Sequence, residues 1–195
     1  MLWMLALSLA VQAEEPAASR IDRLLDLMRR RLELAPEVAR SKWNSGQTID
    51  DPEREAHILE SVVAMTPRGL SKAFVESFFR DQIEAGKLIQ RQLHAEWRAA
   101  RAPPFAWVQD VGRELRPQFD SLTPQLLTAL SQVFQLRRPD LVASRAGSVL
   151  AAFPEDVRGR ALETLQGLED ADSRPDRSAS FDTEVCPRPV ANSQR

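Results

Sequence analysis

The stretch ASRIDRLLDLMRRRLELAPEVARSKWNS (18–45) decides the fold class. Its apolar residues Ile21, Leu24, Leu25, Met28, Leu32, Ala35 and Val38 recur at steps of three and four. That is the period of one face of an α-helix and not the alternation of a strand. Pro36 interrupts the pattern, but the spacing carries on to Trp43, so a kink is expected there rather than an end. Ser45-Gly46-Gln47-Thr48 reads as a stop and Asp50-Asp51-Pro52-Glu53 as the next start. An acidic cap, a proline at the first helical position and acids in the first turn all favour helix opening. The second helix should reach about Met65, ahead of Pro67, and a third should run from about Ser71 to Arg98. AARAPPFAWV (99–108) reads as a proline-braced connection, followed by helices over about 109–116, 123–136, 139–152 and 154–169. There is no fixed-period repeat and no strand-like alternation. The expectation is all-α, a single-domain bundle of about six helices.

Composition agrees. The 195 residues are 43% hydrophobic and 28% charged, enough apolar material for one core and ordinary for a globular domain. Seven glycines and few β-branched runs argue against a sandwich or barrel. A net charge of −2 argues against a general nucleic-acid binder. One cysteine, Cys186, excludes an intrachain disulfide framework and a thiolate metal cluster.

The two ends read differently from the middle. LWMLALSLAV (2–11) is an apolar run of signal-peptide length, and Val11-Gln12-Ala13 resembles a cleavage site. Residues 1–13 are therefore expected to be a signal peptide, 14–170 the helical domain and 171–195 a solvated tail rich in Ser, Arg, Asp and Pro. The mature chain is then expected in the periplasm, free of the membrane once the signal is cleaved.

Several polar residues fall where a bundle has no structural need for them. Arg31 and Lys42 are 11 residues apart, which brings them within about 20° of one face and about 16 Å apart along the axis. Two long cationic side chains bending toward each other from that distance leave room for a small anion. Gln82, Gly86 and Gln90 form an i, i+4, i+8 line. Gly86 in a helix interior costs about 1 kcal/mol against Ala, which suggests close approach of something to the backbone. Arg54 follows the Asp51 cap. The residues alone favour a plainer picture: Arg29-Arg30-Arg31 as a solvated face, Arg54 and Glu55 as surface charges, and His57 and His94 as structural histidines.

Taken in order, RRRLELAPEVARSKW (29–43), DDPERE (50–55) and FFRDQIEAGKLIQ (78–90) resemble the all-helical chorismate mutases, best the exported periplasmic subclass. The resemblance covers roughly residues 18–170 and implies a monofunctional enzyme that converts chorismate to prephenate in aromatic amino acid biosynthesis. It implies that Arg31 binds a substrate carboxylate and that Lys42 and Gln90 contact the ether oxygen. Asp51, Arg54 and Glu55 match the positions that hold the ring hydroxyl and the second carboxylate region. Arg116, in LRPQFDSL (115–122), fits the arginine that this subclass supplies from its own later helices. Gly86 stands where a small hydroxyl residue is often found, so that side-chain hydrogen bond is missing. The resemblance further implies a homodimer with a complete site in each subunit, and neither a cofactor nor a metal.

These residue types suit the chemistry. Chorismate is a dianion, and negative charge grows on its ether oxygen as the carbon–oxygen bond breaks. Confinement of the reactive conformer and donors aimed at that charge accelerate such a step. Guanidinium forks match planar carboxylates. Two rival readings are a periplasmic helical binding or adaptor module for another small dianion, which would hold its ligand unchanged, and a structural helical protein in which Arg31 and Lys42 face water.

Overall fold

The computed structural model describes residues 15–169. The expected signal peptide, the expected tail and Cys186 lie outside the described residues. Seven α-helices follow one another: α1 (Ala17–Leu32), α2 (Ala35–Ser45), α3 (Pro52–Ala64), α4 (Lys72–Ala99), α5 (Arg116–Phe134), α6 (Pro139–Val149) and α7 (Glu155–Gln166). A short π-helical turn, Val111–Leu115, leads into α5. No strand occurs among the described residues.

The first helix is broken, not merely kinked. Glu33 and Leu34 separate α1 from α2, and Pro36 sits in the first turn of α2. A proline there removes the bond to the Leu32 carbonyl and its ring crowds that carbonyl, so the chain restarts one residue earlier. Leu34 bonds back to the Arg31 carbonyl in a tighter turn, which redirects α2.

The opposite correction applies to α5. Separate helices over 109–116 and 123–136 were expected around the prolines, whereas α5 runs unbroken through Pro124. Pro117 lies in the first turn, where no intrahelical N–H is needed. Pro124 costs about 3 kcal/mol, but Leu122, Leu126, Leu127, Leu130 and Val133 are all buried on one face. At about 1.5–3 kcal/mol per buried side chain, that face outweighs the proline.

Helix α4 is the centre of the bundle, with α1, α2, α3 and α7 packed on it. Phe78 and Phe79 of α4 share one buried core with Ile21, Leu24, Leu25 and Met28 of α1. Asp81 staples α4 to α7: its carboxylate accepts the backbone N–H of Thr164 at 2.9 Å and pairs with Arg160 at 3.2 Å. Asn44 holds the connection before α5, donating to the Phe105 carbonyl and accepting the Phe105 N–H, both at 2.8 Å. That pair ties the end of α2 to the segment that carries Arg116.

Candidate functional site

Six polar or charged side chains are buried among the described residues: Arg31, Asp81, Gln82, Lys87, Gln90 and His94. Buried polar groups need partners, and where the partners are sorts the set. Asp81 and Gln82 turn to α7, Gln82 donating to the Ala161 carbonyl at 2.8 Å. The ring of His94 bonds the Ala39 carbonyl at 2.8 Å and packs edge-on to Trp43, so it is a structural histidine, and His57 is exposed. Arg31, Gln90 and Lys87 line one cavity of about 590 Å³, as does Gln82.

All eight residues singled out from the sequence line that cavity. Arg31 enters from the end of α1. Arg29, two residues earlier, pairs on the surface with Asp26 and Glu33, so the helical turn separates solvated from inward arginines. Arg31 is 7% exposed, its Nε has no hydrogen-bond partner among the described residues, and its guanidinium lies 4.8 Å from the Phe119 ring centroid. Burial pushes its pKa down to about 10, with the attraction of Asp120 opposing the fall. Lys42, half-buried on α2, donates to the Ile49 carbonyl at 2.6 Å. Burial holds its ammonium below the usual lysine range, against the pull of Asp51, Glu55 and Asp50.

The start of α3 forms a second wall. Asp51 caps the helix by accepting the Arg54 N–H at 3.1 Å, and Glu55 reaches back to the Asp51 N–H at 3.2 Å. This reciprocal capping fixes both carboxylates and leaves each an oxygen for other partners. Arg54 is half-buried, and Arg116 is exposed on the first turn of α5 at the cavity wall. Gln90 of α4 is 8% exposed and its Oε1 has no partner among the described residues.

Gly86 lines the cavity, but its glycine is not forced by close packing. An added Cβ would meet only the Ala35 Cβ, at 3.9 Å, an ordinary contact. The close approach expected from the sequence is therefore absent within the protein, and the space opens to the cavity instead.

Three lining residues escaped the sequence reading. Phe119 and Asp120 of α5 flank Arg31, and Lys87 of α4 binds three carboxylates. Both Phe119 and Asp120 lie three and four residues after Arg116 on one helical face, which could have marked them. In all, five cationic and five carboxylate side chains line the cavity.

The comparisons with known proteins converge on one family. The family described as chorismate mutase type II matches residues 19–91, from α1 into α4. A crystal structure of chorismate mutase from Burkholderia thailandensis is 35% identical, with a TM-score of 0.67, over 75% of this chain and 99% of that one. The chain belongs to the chorismate mutase family. Chorismate mutase from Burkholderia phymatum superposes with a TM-score of 0.69 at 28% identity, over 76% of this chain and 97% of that one. A secreted chorismate mutase of Mycolicibacterium smegmatis is 29% identical over 152 residues, 75% of this chain and 83% of the relative. Seven of the eight candidate residues fall inside the chorismate mutase match, whereas Arg116 lies beyond it and rests on its place at the cavity.

Proposed function

We propose that this cavity binds chorismate and rearranges it to prephenate. The observation that carries the reading is Arg31, a buried cation whose Nε has no partner among the described residues, facing the same cavity as Lys42 and Gln90. Burial of this guanidinium is only partly offset by the attraction of Asp120, and a buried charge short of compensation is costly, a cost that an anionic ligand reduces. Arg31, Arg54 and Arg116 come from three helices and suit the two carboxylates of a dianion held in its compact reactive conformer. Lys42 has ammonium protons left after its bond to Ile49, and Gln90 lines the same cavity with an amide whose NH2 is the group able to donate. Directed at the ether oxygen, both stabilise charge that exists only as the carbon–oxygen bond breaks. Asp51 and Glu55 are the acceptors for the ring hydroxyl.

Burial of Arg31 and Gln90 with half-buried Lys42 around one cavity argues against the purely structural reading. A module that merely binds a dianion is distinguished by turnover. With the purified chain at neutral pH, loss of chorismate absorbance and acid conversion of the product to phenylpyruvate are the expected result. A folded, helical chain that binds chorismate and leaves it unchanged would establish the binding module instead.

Export to the periplasm belongs to the same proposal. It is supported by the apolar run 2–11 with its cleavage-site pattern and by the secreted relative of Mycolicibacterium smegmatis. Among the described residues no helix is long and apolar enough to cross a membrane. The homodimer that the resemblance implies carries a full site in each subunit under this proposal, since all eight candidate residues line one cavity of a single chain.

A further inference from the structure

Resting on the chorismate reading, we propose that Lys87 is a positioning residue for the rearrangement, holding the Glu55 carboxylate aimed and charge-compensated so that it accepts the ring hydroxyl of a dianionic substrate.

Lys87 is 7% exposed, yet it stands on a helix face that lines the cavity. Its Nζ lies 3.1 Å from both oxygens of Glu55, 2.8 Å from Glu84 and 2.8 Å from Asp50. Arg91 extends the cluster, 2.7 Å from the same Asp50 oxygen. Glu55 is thereby fixed from two sides, by Lys87 across the helices and by the Asp51 N–H within its own capping turn. Three carboxylates use the three protons of the ammonium, so Lys87 has none left for a ligand and acts through Glu55.

Stability alone does not call for this arrangement. A buried ion pair is often no more stabilising than apolar residues of similar size, and Val38, Ile58 and Ile83 line the same cavity, so apolar side chains suit its walls. Charge does call for it. A dianion has to lie beside the Glu55 carboxylate, and without Lys87 the carboxylates lining the cavity outnumber the cations. With Lys87 in place the carboxylate keeps its acceptor oxygens while its repulsion is offset.

The test compares wild type, Lys87→Met, Glu55→Gln and the double variant on chorismate and on an analogue whose ring hydroxyl is replaced by hydrogen. Circular dichroism checks the fold, and Lys87→Gln serves if Lys87→Met does not fold. The expected result is a loss of about tenfold or more in kcat/KM for Lys87→Met on chorismate. That loss should shrink below about threefold on the analogue and in the Glu55→Gln background, because residues acting as a unit are not additive. Losses that multiply in the double variant, an equal loss on the analogue, or a variant within about twofold of wild type overturn the proposal. So does failure of both Lys87 variants to fold, which would make the position structural. A wild-type chain that leaves chorismate unchanged removes the reaction itself, whereas an active wild type with multiplying losses removes the Lys87 role alone.

Discussion

Lys42 and Lys87 line one cavity from α2 and α4, and their surroundings shift the two ammonium groups in opposite directions. Among the described residues Lys42 has one acceptor, the Ile49 carbonyl, and burial keeps it below the usual lysine range. For Lys87 burial also acts downward, but hydrogen bonds to Asp50, Glu84 and Glu55 together outweigh it and hold the group well above that range. The lysine with protons to spare is the one suited to meet developing charge, and the saturated lysine is suited to hold a neighbour in place.

Replacing Lys42 by Ala should lower kcat/KM at least a hundredfold, as loss of one preorganised donor costs about 3 kcal/mol. Near-normal activity in a folded variant would remove Lys42 from the chemistry. Its titration gives a second check. The group must be protonated to donate, and its pKa lies below 10.5, so kcat/KM should fall as pH rises, with a midpoint below that value. Arg31, at about 10, adds to the fall, and the Lys42 share is the part that Lys42→Arg moves to higher pH. Bound dianion favours the charged ammonium, so the corresponding fall in kcat should come at higher pH. Profiles of both constants between about pH 6 and pH 11 would show the offset.

Gln90 predicts a flat rate across neutral pH, because an amide donates at any protonation state of its surroundings. Gln90→Glu should convert this into a steep dependence. The carboxyl donates only when protonated, so kcat should fall about tenfold per unit once pH exceeds its pKa. A Gln90→Glu profile as flat as wild type would show that position 90 does not donate to the reacting oxygen.

Asp81 is the matching test of fold without chemistry. Asp81→Ala leaves Arg160 and the Thr164 N–H without their buried acceptor. The cost should be about 3 kcal/mol, at the low end for a broken buried pair because Arg160 keeps some solvent. For a domain of this size that corresponds to a fall in Tm of about 6–12 °C. An unchanged Tm would mean that α7 is held on α4 by its apolar face alone.

How much of this was legible in the sequence depended on whether the signal was local. The apolar period around Ile21–Val38, the Asp51 cap and the Ser71 start are read within a turn or two of chain, and all three stand in the structure. The prolines were misread because their effect depends on burial elsewhere: Pro36 breaks a helix, whereas Pro124 is overridden by the leucine face of α5. Lys87 was missed for a similar reason. Beside Glu84 it looks like an ordinary surface pair at helical spacing, and its other partners, Asp50 and Glu55, arrive from another helix and the loop before it. Arg31 was ambiguous beside Arg29 and Arg30 until the helix phase placed it inward.

Gly86 yields a prediction in which packing and chemistry separate. The backbone there is ordinary helix, and an added Cβ meets only the Ala35 Cβ at 3.9 Å. Gly86→Ala should therefore stabilise the chain by up to about 1 kcal/mol, raising Tm by about 2–4 °C. Gly86→Ser adds a hydroxyl at a position that lines the cavity. If that hydroxyl bonds a substrate carboxylate, kcat/KM should rise about two- to tenfold over Gly86→Ala, the range of one net hydrogen bond. The Ala variant is the proper reference, since it shares the new Cβ and the helix preference but offers no donor. A Ser variant no better than Ala would show that the substrate carboxylates are satisfied by the arginines alone. A loss of Tm in Gly86→Ala would show that the wall beside Ala35 is tighter than its contact distance implies.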